Sequence, residues 1–132
     1  MSVQAAINAF NAKVEKLSNK EFRFRCIQIT NEAVRNTPVD TGRLRANWQI
    51  GFGYSPNSLI QFKGGTDKQA NEAAADQSAA GRLRAAEQES PGATVCYITN
   101  NLPYAHSVES GGPTNKPRRM LARAILRVSK IL

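Results

Sequence analysis

The chain has 132 residues, 41% of them hydrophobic, and a formal net charge of +8. That length suits one domain burying roughly two-thirds of its unfolded surface. No run of about 18 apolar residues is present, which excludes a transmembrane helix, and the N-terminal residues lack a signal peptide's basic and apolar regions, so residence in a cytoplasm is expected.

The charge is unevenly spread. Residues 1–63 carry nine Lys/Arg and four Asp/Glu, residues 64–90 three and five, and residues 91–132 six and one. Two basic ends flank an acidic middle. Such a surface attracts nucleic acid or an acidic protein, though a charge that only keeps the chain soluble is equally common.

Val3, Ile7, Phe10, Val14 and Leu17 recur at helical spacing and predict one apolar stripe. Ser18 followed by Glu21 resembles a capping box, so a helix is expected to start there, with Phe22, Cys26, Ile29 and Ala33 inward. One long helix and two joined near Ser18 are both compatible with the pattern. Lys20, Arg23, Glu32 and Arg35 fall largely off the stripe.

Thr37–Trp48 turns the helical pattern into a strand pattern. Pro38 lacks an N–H and biases Thr37 away from the α region, and Asp40, Thr41 and Gly42 supply turn chemistry. Leu44, Ala46, Trp48, Ile50 and Phe52 then alternate with polar or small residues, which predicts a strand with one buried face and places Arg43 and Arg45 outward. Gly51 and Gly53 suggest a bulge or sheet edge rather than a phosphate loop. Ser58–Lys63 is expected to pair back as a second short strand.

Residues 64–91 form an alanine-rich, polar segment with Leu83 as its main large apolar side chain. Alanine favours helix, but such a helix has little to bury, so it is expected on the surface, mobile, or against another subunit, with Gly81 weakening its middle. Ala93–Asn100 is β-branched and aromatic, a good central strand. Pro103 opens a short helix with Tyr104, Ala105 and Val108 inward, and Gly111–Pro113 ends it. Pro117 suits the first turn of a last helix. Met120, Leu121, Ala124, Ile125 and Val128 form its apolar stripe, and Arg118, Arg119, Arg123, Arg127 and Lys130 its other face.

Catalytic chemistry is sparse. His106 is the single histidine, and Cys26 or Cys96 would be its one candidate nucleophile, in a small hydrolase; neither cysteine has the surrounding context. The two cysteines read as buried free thiols, without the spacing of a zinc site. Glu109 is the only acid after residue 90, so paired carboxylates are unavailable there. No catalytic, metal or cofactor residue is assigned.

Three pieces carry a resemblance: Thr37-Pro-Val-Asp-Thr-Gly-Arg-Leu-Arg-Ala-Asn-Trp48; Ile98-Thr-Asn-Asn-Leu-Pro-Tyr-Ala105 with Val108-Glu-Ser-Gly111; and Lys116-Pro-Arg-Arg-Met120. In this order and spacing the chain resembles the tail-component, or tail-completion, proteins of long-tailed bacteriophages and prophages, from about residue 20 to the end. Where related sequences often carry a Ser-x-Gln-Ala-Pro-x-Gly-Met-like segment, this chain has Gly112-Pro-Thr-Asn-Lys-Pro-Arg-Arg-Met120.

The resemblance implies a single α+β domain, a small antiparallel β-sheet packed by N-terminal helices and a C-terminal helix. It implies a structural virion protein without enzymatic activity, which completes the tail and joins it to the head as a six-fold ring in the neck. Partners would be further copies, neighbouring tail and head-connector proteins, and packaged DNA in the channel, with no membrane. Pro38, Asp40, Thr41, Gly42, Trp48, Tyr104, Glu109 and Gly111 are then the structural motif. Arg43, Arg45, Arg118, Arg119, Arg123 and Arg127 are the expected docking surface or DNA-channel lining. A basic nucleic-acid-binding protein is the competing class.

Overall fold

In the computed structural model, which describes residues 2–132, six helices surround a two-stranded sheet. The elements in chain order are α1 (Val3–Val14), α2 (Asn19–Asn36), α3 (Arg43–Ala46), β1 (Trp48–Phe52), α4 (Lys68–Ala86), β2 (Cys96–Asn100), α5 (Ala105–Ser110) and α6 (Met120–Lys130). The class is α+β.

Separate helices α1 and α2 form because each has its own cap. Ser2 Oγ accepts from Ala5 N–H, and Ser18 Oγ accepts from Glu21 N–H while donating to Glu21 Oε1. The main core lies where α1, α2 and α6 meet. Ala6, Phe10, Ile29, Ala33, Val34, Met120, Ile125 and Val128 are buried there with Trp48. A second cluster of Cys26, Ile50, Phe52, Leu83 and Ala86 joins α2 and α4 to the sheet.

β1 and β2 pair antiparallel with Ile50 opposite Ile98. The strand after the corner is shorter than expected: Arg43–Ala46 is a helical turn, and the ladder starts at Trp48. Gly42 is the cause. Its φ of +89° directs the chain into that turn, and its carbonyl accepts from Ala46 N–H at 2.9 Å. A Cβ at Gly42 would stand 2.9 Å from Asn71 O and from Phe62 Cε1, so the site excludes a larger residue. All five β1 residues are buried, because the chain at 56–60 folds over the sheet's outer face. Gln49 Nε2 donates to Ser58 O, and Thr99 Oγ1 to Pro56 O.

The expected strand at Ser58–Lys63 does not form. Asn47 explains this: its side chain donates to Ile60 O and accepts from Ile60 N–H, bridging with an amide what a ladder would bridge with backbone. Nor is β2 central, since β1 is its one neighbour among the described residues.

The alanine-rich segment is a packed helix. Asp67 Oδ1 caps α4 through Gln69 and Ala70 N–H, and Asn71, Ala75, Ala79, Leu83 and Ala86 form a buried stripe against the sheet side. Small side chains let α4 approach closely, which compensates for their small area. Two arginines seal the join. Arg82 donates to Ala46 O and Trp48 O. Arg23, expected off the buried stripe, is buried; it donates to Ala86, Glu89 and Ser90 carbonyls just past α4 and stacks 3.9 Å over Phe52.

α6 starts at Met120, later than Pro117 suggests, because Arg119 takes a left-handed conformation (φ 50°, ψ 46°). Glu109 supplies the cap that Arg119 does not. Its carboxylate accepts from Leu121 N–H at 2.8 Å and Ala122 N–H at 3.2 Å. Backbone bonds from Arg118 and Arg119 N–H to Val108 and Glu109 carbonyls bind α5 to the same point.

Candidate docking surface

α6 has two faces. Met120, Ala124, Ile125 and Val128 are buried, while Arg123, Arg127 and Lys130 stand outward one turn apart. Arg118 precedes the helix and is exposed. The last turn of α2 brings Arg35 alongside, and the first residue of α4 brings Lys68. Arg35, Lys68, Arg118 and Arg123 thus come from the end of α2, the start of α4 and the start of α6 to line one cleft of about 440 Å³. Thr37, Pro38 and Arg45 line it too, with Glu72 as its acid.

Arg45 belongs to the floor, contrary to the expectation that it faces outward. It is buried, with Nε and Nη2 donating to Thr37 O and Nη2 also to Arg35 O. Its Nη1 lies 3.1 Å from Asp76 and 3.3 Å from Glu72. The short helix α3 turns Arg45 toward the carbonyls left open at the end of α2. A strand would have pointed it to solvent. Three bonds to two carbonyls, and two carboxylates, hold it, so Arg45 fastens α2 to α4.

The other expected residues divide. Arg118 and Arg123 meet at the cleft. Arg127, whose side chain is 77% exposed, lies 3.5 Å from Glu32, which also pairs with Arg35. Both pairs engage largely solvent-exposed arginines at the rim of the cleft. Arg43 is exposed on α3 but does not line the cleft. Arg119 is half-buried and lines a different cavity, of about 590 Å³, with Glu109 and His106. Lys68 and Arg35 were not picked out from sequence. Their signals, a cation in the first turn of one helix and the last turn of another, carry no hint that these ends converge.

The motif residues serve the scaffold. Trp48 Nε1 donates to Thr37 Oγ1 at 2.7 Å, and that hydroxyl donates to Ala33 O, so the corner is tied into α2. Thr41 Oγ1 accepts from Arg43 N–H. Asp40 offers its carbonyl to Asn71 Nδ2. Tyr104, expected inward, is exposed at the position just before α5, where its carbonyl accepts from Val108 N–H. Gly111, at φ 86°, packs where a Cβ would meet the Pro117 ring at 3.0 Å.

No group of three or more His, Cys, Asp or Glu among the described residues is placed to hold a metal ion. Cys26 is buried; the neighbouring Cys96 thiol, then burial, pushes its thiol well above the usual range, so it stays protonated. His106 is exposed, and Glu109, its neighbour in the cavity lining, is committed to the α6 cap.

No curated protein and no solved structure matches the chain. Residues 4–111 match the family model described as "Bacteriophage HK97-gp10, putative tail-component". That span covers both the corner and the Glu109–Gly111 motif, and the chain therefore belongs to the HK97-gp10 tail-component family of bacteriophages.

Proposed function

We propose that this tail component is a ring subunit that completes the tail and joins it to the head, and that its basic cleft docks an acidic surface of a neighbouring virion protein. The supporting observation is the convergence of Arg35, Lys68, Arg118 and Arg123 on one concave site. These four cations come from three segments far apart in the chain, so the site forms only in the folded subunit. A concave site suits a few carboxylates projecting from a protein surface better than a continuous row of phosphates. The role needs no bond made or broken. The subunits would assemble in the host cytoplasm as a homo-oligomer, six-fold in the neck.

Charge reversal tests this. The double variant Arg118→Glu/Arg123→Glu should fold as the wild type does, because both side chains are exposed. Phage carrying it should accumulate separate filled heads and tails, counted by electron microscopy. Normal yields of joined, infectious particles would overturn the docking role. A second reading, contact with DNA in the channel, is favoured by the exposed stripe of Arg123, Arg127 and Lys130.

A further inference from the structure

β2 has an open edge. Gly53 N–H bonds to Val95 O across the ladder, and bonded pairs alternate in an antiparallel sheet, so Gly51–Tyr97 and Gln49–Thr99 are bonded pairs as well. The N–H and C=O groups of Cys96, Ile98 and Asn100 then point away from β1. They have no hydrogen-bond partner among the described residues. Such edges usually carry a Lys, a Pro or a bulge against unwanted pairing. Residues 95–101 (Val-Cys-Tyr-Ile-Thr-Asn-Asn) carry none of these. Two cavities, a mixed one of about 590 Å³ and a mainly apolar one of about 400 Å³, meet along this strand and share Ile98 and Leu121 in their linings. Val95 and Tyr97 are exposed beside them.

The chain also holds a strand without a ladder. Ser58–Lys63 has strand composition, and residues 55–65 run without a turn or bend. One edge of it is used: Ser58 O and Ile60 N–H and C=O are bonded by Gln49, Asn47 and Asn101 side chains. Backbone groups alternate in direction along extended chain, so those of Leu59 and Gln61 face the other way, and they too have no partner among the described residues. Leu59 is 46% exposed and Gln61 is exposed.

We infer that Ser58–Lys63 of one copy adds as a strand to the open β2 edge of a second copy, pairing Leu59 and Gln61 with the Cys96–Asn100 row. Only another strand matches a row of alternating donors and acceptors at this spacing, and this chain supplies one that is uncharged from Ser58 to Phe62. Donor and acceptor are different surfaces, so the contact is head-to-tail and propagates into a ring when the rotation closes. Asn47 gains a purpose here, since it holds the donor segment straight before pairing. The inference rests on the ring-subunit reading and gives that ring its joint.

Gln61→Pro is the test. Proline removes an outward N–H that the subunit itself does not use and blocks the added ladder. Light scattering and native mass spectrometry should find the wild type as closed multiples of the subunit and Gln61→Pro as monomer, with matching far-UV circular dichroism. In the wild type, hydrogen exchange should slow in residues 58–63 and 95–100 together as concentration rises. Oligomers of unchanged mass in Gln61→Pro, or wild-type oligomers that protect neither segment, would overturn the strand joint and leave the ring reading standing. A wild type that stays monomeric at millimolar concentration would overturn the joint, while the head–tail assay above judges the ring reading separately.

Discussion

Arg45 shows how one side chain joins the end of α2 to α4. It satisfies the Thr37 and Arg35 carbonyls at the end of α2 and meets Glu72 and Asp76 on α4. Both acids remain about half exposed, so the ion pairs are partly screened and the carbonyl bonds carry most of the effect. Arg45→Ala should therefore destabilise the fold by about 2–3 kcal/mol, read as a shift in urea midpoint at unchanged slope. Arg45→Lys should recover less than half of this, because one ammonium cannot reach carbonyls and carboxylates in the directions a planar guanidinium does. If lysine restored full stability, the site would need only charge. Trp48 and Thr37 work in the same way through the indole–hydroxyl–carbonyl chain to Ala33. Tyr54 fastens the far end of the sheet: its hydroxyl donates to Glu89 at 2.7 Å, which holds the phenol above its ordinary range.

At the scale of elements, α4 is an unusual solution. Its buried stripe is made of Asn71, Ala75, Ala79, Leu83 and Ala86, too small to anchor a helix by area alone. Asp67 at one end and Arg23 beyond the other supply the rest, by satisfying terminal backbone groups. Gly81 lies on the outer side, where an added Cβ meets nothing within 4 Å. Gly81→Ala should thus stabilise the protein by about 0.5–1 kcal/mol through the unfolded chain's lost freedom. Thermal unfolding checks it, and a lowered midpoint would mean that the flexibility or the bare surface at Gly81 serves an outside contact. The stripe was hard to see in sequence because alanine occurs on every side of this helix. The α2 cap and the apolar stripe of α6 were plain, since Ser18 with Glu21 and Met120 through Val128 each stand out against polar neighbours. The turn at Arg43–Ala46 was hidden by a true alternation that Gly42 overrides. Ser58–Lys63 read as a strand because its composition is that of one, and nothing local reveals that Asn47 would occupy its partner groups.

The whole molecule carries +8, and its two basic ends come together where α6 meets the end of α2. This convergence separates a docking site from diffuse solubility charge, and salt can tell them apart. Exposed charges are screened beyond about 10 Å at 0.1 M salt, so a docking step steered by the cleft should slow markedly between about 50 and 200 mM salt. Joining of purified heads to tails, followed by electron microscopy or plaque yield, should show that dependence in the wild type. Arg118→Glu/Arg123→Glu should join poorly at every salt concentration and lose most of the dependence. Duplex DNA gives the contrasting case. If the four cleft cations each neutralised a phosphate, log K would fall with log salt at a slope of about −3.6. Because the four cations line a concave cleft, a straight row of phosphates would reach fewer than four of them. Binding to a short duplex should accordingly be weak, with a slope much shallower than that value. A slope near it, lost in the double variant, would assign the cleft to DNA instead of a protein neighbour.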